Sequence, residues 1–215
     1  MSNVRPQVES PFRTSWHRMW AGVGATGDGA AAYEELIARY SESWRKYHTL
    51  QHLRECIVIF ESASHLAARP AEVEAALWFH DAVYELQRSD NEEQSARLAL
   101  DLLSNAGAPR VVGARVAALV LATKHTASPE APDEQLLVDI DLSILGATEL
   151  RFAEYERQIR EEYSFVPEVI FREKRQAILR SFIARPRIYG TRHFSGLLEQ
   201  QARVNLARVA GENAA

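Results

Sequence analysis

Apolar residues recur at intervals of three and four along most of this chain, the spacing that gathers side chains onto one face of an α-helix. Tyr33, Leu36, Ile37 and Tyr40 follow Asp28 in this way, and Leu50, Leu53, Ile57 and Phe60 follow Thr49. Two or three longer amphipathic stretches cover 149–184, divided near Pro167, and a last one runs from about His193 to Val209. Short runs containing Val and Ile occur, but none alternates cleanly between hairpin turns as a strand would. The pattern predicts an all-α chain of about nine or ten helices. An N-terminal arm with a short helix takes 1–28, one helical domain 29–209, and a tail 210–215.

Caps and breakers refine these elements. Thr14 or Ser15 is placed to cap a short helix carrying Trp16, Met19 and Trp20, which a glycine series from Gly22 to Gly29 then ends. Gly22 to Gly27 fits GxGxxG, but no strand precedes it, so a flexible connection is expected rather than a phosphate loop. Pro70 and Pro132 suit first helical turns, with Glu72 and Glu74 favourable near the helix N-terminus. Ser89 with Glu92, and Asp90 with Glu93, offer two overlapping capping boxes, and Gly107 offers a C-terminal stop. The helix from Pro132 is expected to run through Leu145 until Gly146 interrupts it.

Within the apolar run after Pro70, Val73, Ala76, Leu77, His80 and Tyr84 share one helical face. His80 therefore takes a position suited to a core residue, and Asp81 adjoins that face. Burying a carboxylate is costly unless it is paired or coordinates a metal. A hydrogen-bonded core pair is the plain alternative. Asp139 and Asp141 raise the same question, since two residues apart on a helix they point roughly 200° from each other. The helical neighbours of Asp141 are Leu137, Val138, Ile144 and Leu145, all apolar, whereas those of Asp139 are Gln135, Leu136, Leu142 and Ser143. Asp141 is thus the carboxylate expected to be buried.

Composition changes this picture little. With 47% hydrophobic and 25% charged residues and a net charge of −4, the 215-residue chain has an ordinary soluble make-up and no global basic field for nucleic acid. Only Lys46, Lys124 and Lys174 are lysines, and coding bias accounts for the arginine excess. The basic run from Phe171 to Arg192 is interleaved with Ile178, Leu179, Phe182 and Ile183, and reads as an amphipathic helix with a charged outer side. Cys56 is the single cysteine and lies in an apolar helical run, so it is expected to be a small core residue. It forms no internal disulfide and no thiolate metal cluster is expected. Neither a signal pattern nor an apolar run near the roughly 20 residues of a membrane span is seen, and a cytoplasmic protein without a membrane partner is expected.

The histidines add candidate chemistry. His48 and His52 are four apart, a spacing that would put both on one helix face. His125 stands beside Lys124 in the last turn of its predicted helix.

In order, Arg39-Tyr40, Tyr47 to Leu53, Trp78 to Tyr84, Asn91 to Ala96 and Asp139 to Gly146 resemble the HD superfamily of metal-dependent phosphohydrolases. More narrowly they look like a bacterial branch of predicted HD-type phosphohydrolases, over about 29–209. The resemblance implies an all-helical bundle in which His52, His80, Asp81 and Asp141 surround one divalent metal ion. Nitrogen and oxygen donors without sulfur suit Mn, Fe, Co, Ni, Zn or Mg. It also implies hydrolysis of a phosphate ester or anhydride of a small molecule, a nucleotide among the candidates. Superfamily members with two metals use two further histidines, and only His125 lies between Asp81 and Asp141. That favours one metal over a di-iron oxygenase, unless Glu85 or Glu92 substitutes. The alternative from another class is a regulator that binds metal or nucleotide without turnover.

Softer candidates surround these four. His48 is placed to act as an acid–base group or to support a ligand, and Glu85 to orient the nucleophilic water. Lys124 and His125 could meet a substrate phosphate or donate a proton. Arg39, Arg45 and Lys46 precede the first ligand helix and could bind phosphate, although a solvated face is their default. Asn91 and Ser95 share a face that could approach the site from a neighbouring helix.

Overall fold

The computed structural model describes residues 11–127 and 129–211, and every regular element among them is helical. Ten α-helices follow in order: α1 (Pro11–Gly22), α2 (Ala30–Tyr40), α3 (Leu50–Ala63), α4 (Pro70–Phe79) and α5 (Asn91–Asn105). They continue as α6 (Arg110–Ala122), α7 (Pro132–Asp141), α8 (Glu149–Glu162), α9 (Glu168–Ile183) and α10 (Arg192–Ala210). Short 3-10 turns follow α3 at Ser64–Leu66 and α7 at Leu142–Gly146. The start of the expected arm, before Pro11, and most of the expected tail, beyond Gly211, lie outside the described residues. No helix among the described residues is long and apolar enough to cross a membrane.

The bundle is built around α4. Every residue from Glu72 to Phe79 is buried, and the helix packs against α1, α3, α6 and α7. A helix enclosed on all sides must have its charges paired. Glu74 accepts a 2.7 Å hydrogen bond from Ser15 Oγ and pairs with Arg18, while Glu72 pairs with Arg115 of α6. Trp78 Nε1 in turn donates to Ser15 Oγ at 3.0 Å. The two glutamates expected only to favour a helix start thus tie α1 and α6 to the centre. Ser15 is inside α1 rather than capping it, because Pro11 already suits the first turn.

The glycine connection after α1 is pinned. Thr26 donates from both its backbone N and Oγ1 to the carbonyl of Ala106, each at 2.8 Å. Gly29 takes a left-handed φ of 63°, and a Cβ there would lie 2.5 Å from the Trp20 ring, so only glycine fits. The capping boxes do not form. Asp90 is the N-cap of α5, but its carboxylate is held by Arg88 and Gln94 instead.

Two helices end earlier than their apolar patterns suggest. α4 stops at Phe79, so His80 to Tyr84 form a turn, and α7 stops at Asp141 before the 3-10 segment. Both changes matter for function, because they place Asp81 and Asp141 at helix ends rather than within helices.

Candidate metal centre

Three helix ends converge beneath α8 and α9. Thr49 caps α3, with its side chain accepting from Gln51 N, which sets His52 in the first turn. His80 and Asp81 follow the last residue of α4, and Asp141 closes α7. His80 Nδ1 lies 2.9 Å from the carbonyl of Leu77, which can only accept, so this nitrogen carries a proton and Nε2 faces the cluster. Burial opposes a charged ring, but Asp81 and Asp141 raise the His80 pKa well above the usual imidazole value, so Nε2 would release a proton on binding a cation. His80 Nε2 is 3.0 Å from His52 Nε2, 3.0 Å from Asp81 Oδ2 and 3.6 Å from Asp141 Oδ1. His52 Nε2 is 3.3 Å from Asp141 Oδ1 and 3.5 Å from Asp81 Oδ2. Neighbouring ligands on one ion with bonds of about 2.1 Å are themselves about 3.0–3.4 Å apart. The donor spacing therefore fits a shared divalent cation.

Electrostatics agree. Burial works against ionising Asp81, yet the imidazoles of His80 and His48 outweigh it and hold its pKa below the carboxylate range. Asp141 is likewise held well below that range, against burial, by hydrogen bonds to His125, His52 and His80. Both carboxylates are thus in the ionised form that coordinates metals.

Cys56 lies closer to this chemistry than a plain core residue. Ligand atoms of His52, Cys56, His80 and Asp141 fall within 4.8 Å of one another, a group that could hold a metal ion. Its sulfur is 3.8 Å from both ring nitrogens of His52, which sets it against the ring rather than in line with Nε2. Burial also pushes the thiol pKa well up, away from the thiolate that binds metals. Asp81 Oδ2 is nearer to the imidazole nitrogens and already ionised.

Asp139 reverses the burial expected of the two aspartates. It is 1% exposed, whereas Asp141 keeps a partly open edge. The start of α10 covers the Asp139 side: its carboxylate accepts from Gly190 N (2.7 Å), Thr191 N (2.8 Å) and Thr191 Oγ1 (2.6 Å). Helical neighbours within α7 carry no information about that distant segment. Asp139 thus anchors the fold, and Asp141 is the carboxylate that joins the cluster.

A cavity of about 410 Å³ opens over the cluster, lined among others by His48, Asp81, His125, Asp141, Lys124 and Asn91. His48 precedes the cap of α3 and so does not share a helix face with His52. Its Nδ1 donates at 2.9 Å to Glu162, whose carboxylate also accepts from the backbone N of Lys46, Tyr47 and His48 and from Tyr84 Oη. His125 Nε2 is 3.0 Å from Asp141 Oδ2, the oxygen turned away from the other two imidazoles. His125 has a left-handed φ of 55°, a strained state outside glycine, and its buried Nδ1 has no hydrogen-bond partner among the described residues.

The other candidates have different settings. Arg45 is buried and donates to the carbonyls of His48, Asp81 and Ala82, so it clamps the turn that carries Asp81 instead of reaching for phosphate. Asn91 brackets the backbone of Glu85 with two 3.0 Å bonds, and Lys124 pairs with Glu93. Ser95 Oγ accepts from Val83 N at 3.0 Å, holding the same turn. Neither Glu85 nor Arg39 is brought to the cavity: Glu85 is exposed, and Arg39 pairs with Glu35 on α2.

Residues missed in the sequence complete the walls. Arg175 and Arg185, read as part of a charged outer side, line the cavity, and the Arg175 side chain is only 11% exposed. The signal was available, because Phe171, Arg175, Ile178, Leu179 and Phe182 share one face of α9. Glu162 offered none, since a glutamate beside Glu161 at a helix end looks solvated. No family model matches the chain, and no match is found among curated proteins or solved structures.

Proposed function

We propose that this chain is a metal-dependent phosphohydrolase of the HD type, cleaving a phosphate ester or anhydride of a small molecule. The observation that supports it is the convergence of His52 Nε2, His80 Nε2, Asp81 Oδ2 and Asp141 Oδ1 beneath a cavity that basic side chains line. One divalent cation held by these four residues would supply Lewis acidity, acidifying a water and polarising a phosphoryl oxygen.

The chain's own residues would do the rest. Glu162 holds the proton of His48 on Nδ1, leaving Nε2 to accept or donate a proton at the cavity. Arg175 and Arg185 offset negative charge building on the phosphoryl group. Arg45, through the Asp81 and Ala82 carbonyls, keeps the Asp81 turn from shifting. His125 fixes the second oxygen of Asp141 so that Oδ1 faces the imidazoles.

The test is metal analysis of the purified protein with a screen of phosphate esters and anhydrides, for wild type and Asp81→Ala. The proposal expects a bound divalent cation and hydrolysis that Asp81→Ala abolishes. No bound cation, and hydrolysis unchanged in that variant, would overturn it.

A further inference from the structure

The cavity over the cluster continues into a second compartment of about 450 Å³. Tyr84, Tyr155 and Ile178 border both spaces, and Ile159, Tyr163 and Phe171 extend the wall outward. The polar tip of Tyr84 is already bound to Glu162, so it offers its ring to the space. Among the described residues no Ser, Thr, Asn or Gln lines this compartment, although His48, Glu92, His125, Lys174 and Arg175 also border it. Small-molecule sites fix polar rings through a few well-placed hydrogen-bonding groups, and here His48, His125 and Arg175 are already engaged by Glu162, Asp141 and Glu156, so the wall is mainly aromatic and aliphatic. Ile178 is 49% exposed on the face of α9 turned to this cleft, an apolar surface continuous with the candidate centre.

Among the described residues, one cation of the inner compartment has no counter-charge. Lys124 pairs with Glu93, and Arg175 with Glu156. Arg185 instead donates to the carbonyl of His125 at 3.1 Å and lies over the Phe182 ring at 4.4 Å, with no acidic partner among the described residues. His125 in turn touches Asp141, so this guanidinium stands one residue from the cluster.

Building on the metal-dependent reading above, we infer that the cleft takes a phosphomonoester with an apolar organic group. The phosphate lies between the cluster and Arg185, and the organic group lies on the wall of Tyr155, Ile178 and Phe171.

Calorimetric titration of the Mn²⁺-loaded protein with methyl-, hexyl- and phenylphosphonate, and with a nucleoside phosphonate, tests this without turnover. Each buried methylene tightens binding roughly fourfold, so the five added methylenes of hexylphosphonate, once buried, should tighten binding on the order of 1000-fold over methylphosphonate. Ile178→Glu should collapse that ratio toward one, and the milder Ile178→Ala should reduce it. Arg185→Gln should weaken both ligands alike and preserve the ratio. Equal affinity for methyl- and hexylphosphonate, or tightest binding of the nucleoside phosphonate, would overturn the inference. Assaying the matching phosphate esters separates the two proposals. Tail-dependent binding without hydrolysis upholds this inference and rejects the hydrolase, whereas hydrolysis indifferent to the tail does the reverse.

Discussion

His52 and His80 face each other through Nε2 at 3.0 Å, from the start of one helix and the end of another. The Leu77 carbonyl holds one His80 proton on Nδ1, so Nε2 is the nitrogen turned to the second imidazole. Two ionised carboxylates approach the same pair of nitrogens within 3.6 Å. A hydrogen-bonded core pair needs one donor and one acceptor. Two nitrogens and two carboxylate oxygens at this spacing could share one cation.

His80→Ala and Asp81→Asn should each lower Mn²⁺ affinity by more than about 100-fold, since changes to residues that merely support ligands already cost about 10–100-fold. Isothermal titration of the metal-free protein measures this directly. A drop of less than tenfold in both variants would remove these residues from the ligand set.

Cys56→Ala should leave Mn²⁺ affinity little changed, because the sulfur rests against the His52 ring and burial keeps it a neutral thiol. The same burial predicts that the native protein resists thiol reagents and reacts only on unfolding. A loss of metal binding matching that of Asp81→Asn would instead make Cys56 a ligand.

Asp139→Ala should destabilise the fold by about 3 kcal/mol, because it strips three donors at the start of α10 of their buried acceptor. Metal affinity should fall far less than in Asp81→Asn. Denaturant unfolding and titration of the same sample separate the two effects. An unaltered midpoint would show that α10 is held by its apolar contacts alone.

Much of this architecture was legible in the chain. Thr49, Pro70, Gly107 and Pro132 mark helix ends by their own chemistry, and periodicity located α3, α6, α8, α9 and α10. What failed shares one cause: tertiary partners that no local pattern encodes. The apolar run through Tyr84 looked helical, but α4 ends at Phe79 and Arg45 donates to the carbonyls of Asp81 and Ala82. Asp141, with its apolar neighbours, looked the more buried of the two aspartates, but Gly190 and Thr191 cover Asp139. His48 seemed a neighbour of His52 on one helix, whereas Glu162 orients it from α8. Only the inward turn of Arg175 could have been read earlier, from the apolar residues that share its face.

Glu162 predicts a pH signature. Burial opposes its charge, but His48 and the backbone N–H groups of the 46–48 turn bring its pKa from 4.5 down to about 2. A carboxylate with a lowered folded pKa contributes stability above its unfolded value and loses it as pH falls through the folded one. The contribution, roughly 3 kcal/mol, should be complete above about pH 4.5 and fade toward pH 2. Glu162→Gln should lack that slope and be less stable near neutrality. Urea midpoints for both proteins across this window test it, and parallel curves would count against Glu162 as the cause.

The most direct test of the central claim is an anomalous difference map from crystals soaked in Mn²⁺. The account predicts one strong peak per chain, bonded to Nε2 of His52 and His80 and to carboxylate oxygens of Asp81 and Asp141. No peak among these four residues, or a peak bonded to Cys56 in place of Asp81, would contradict it.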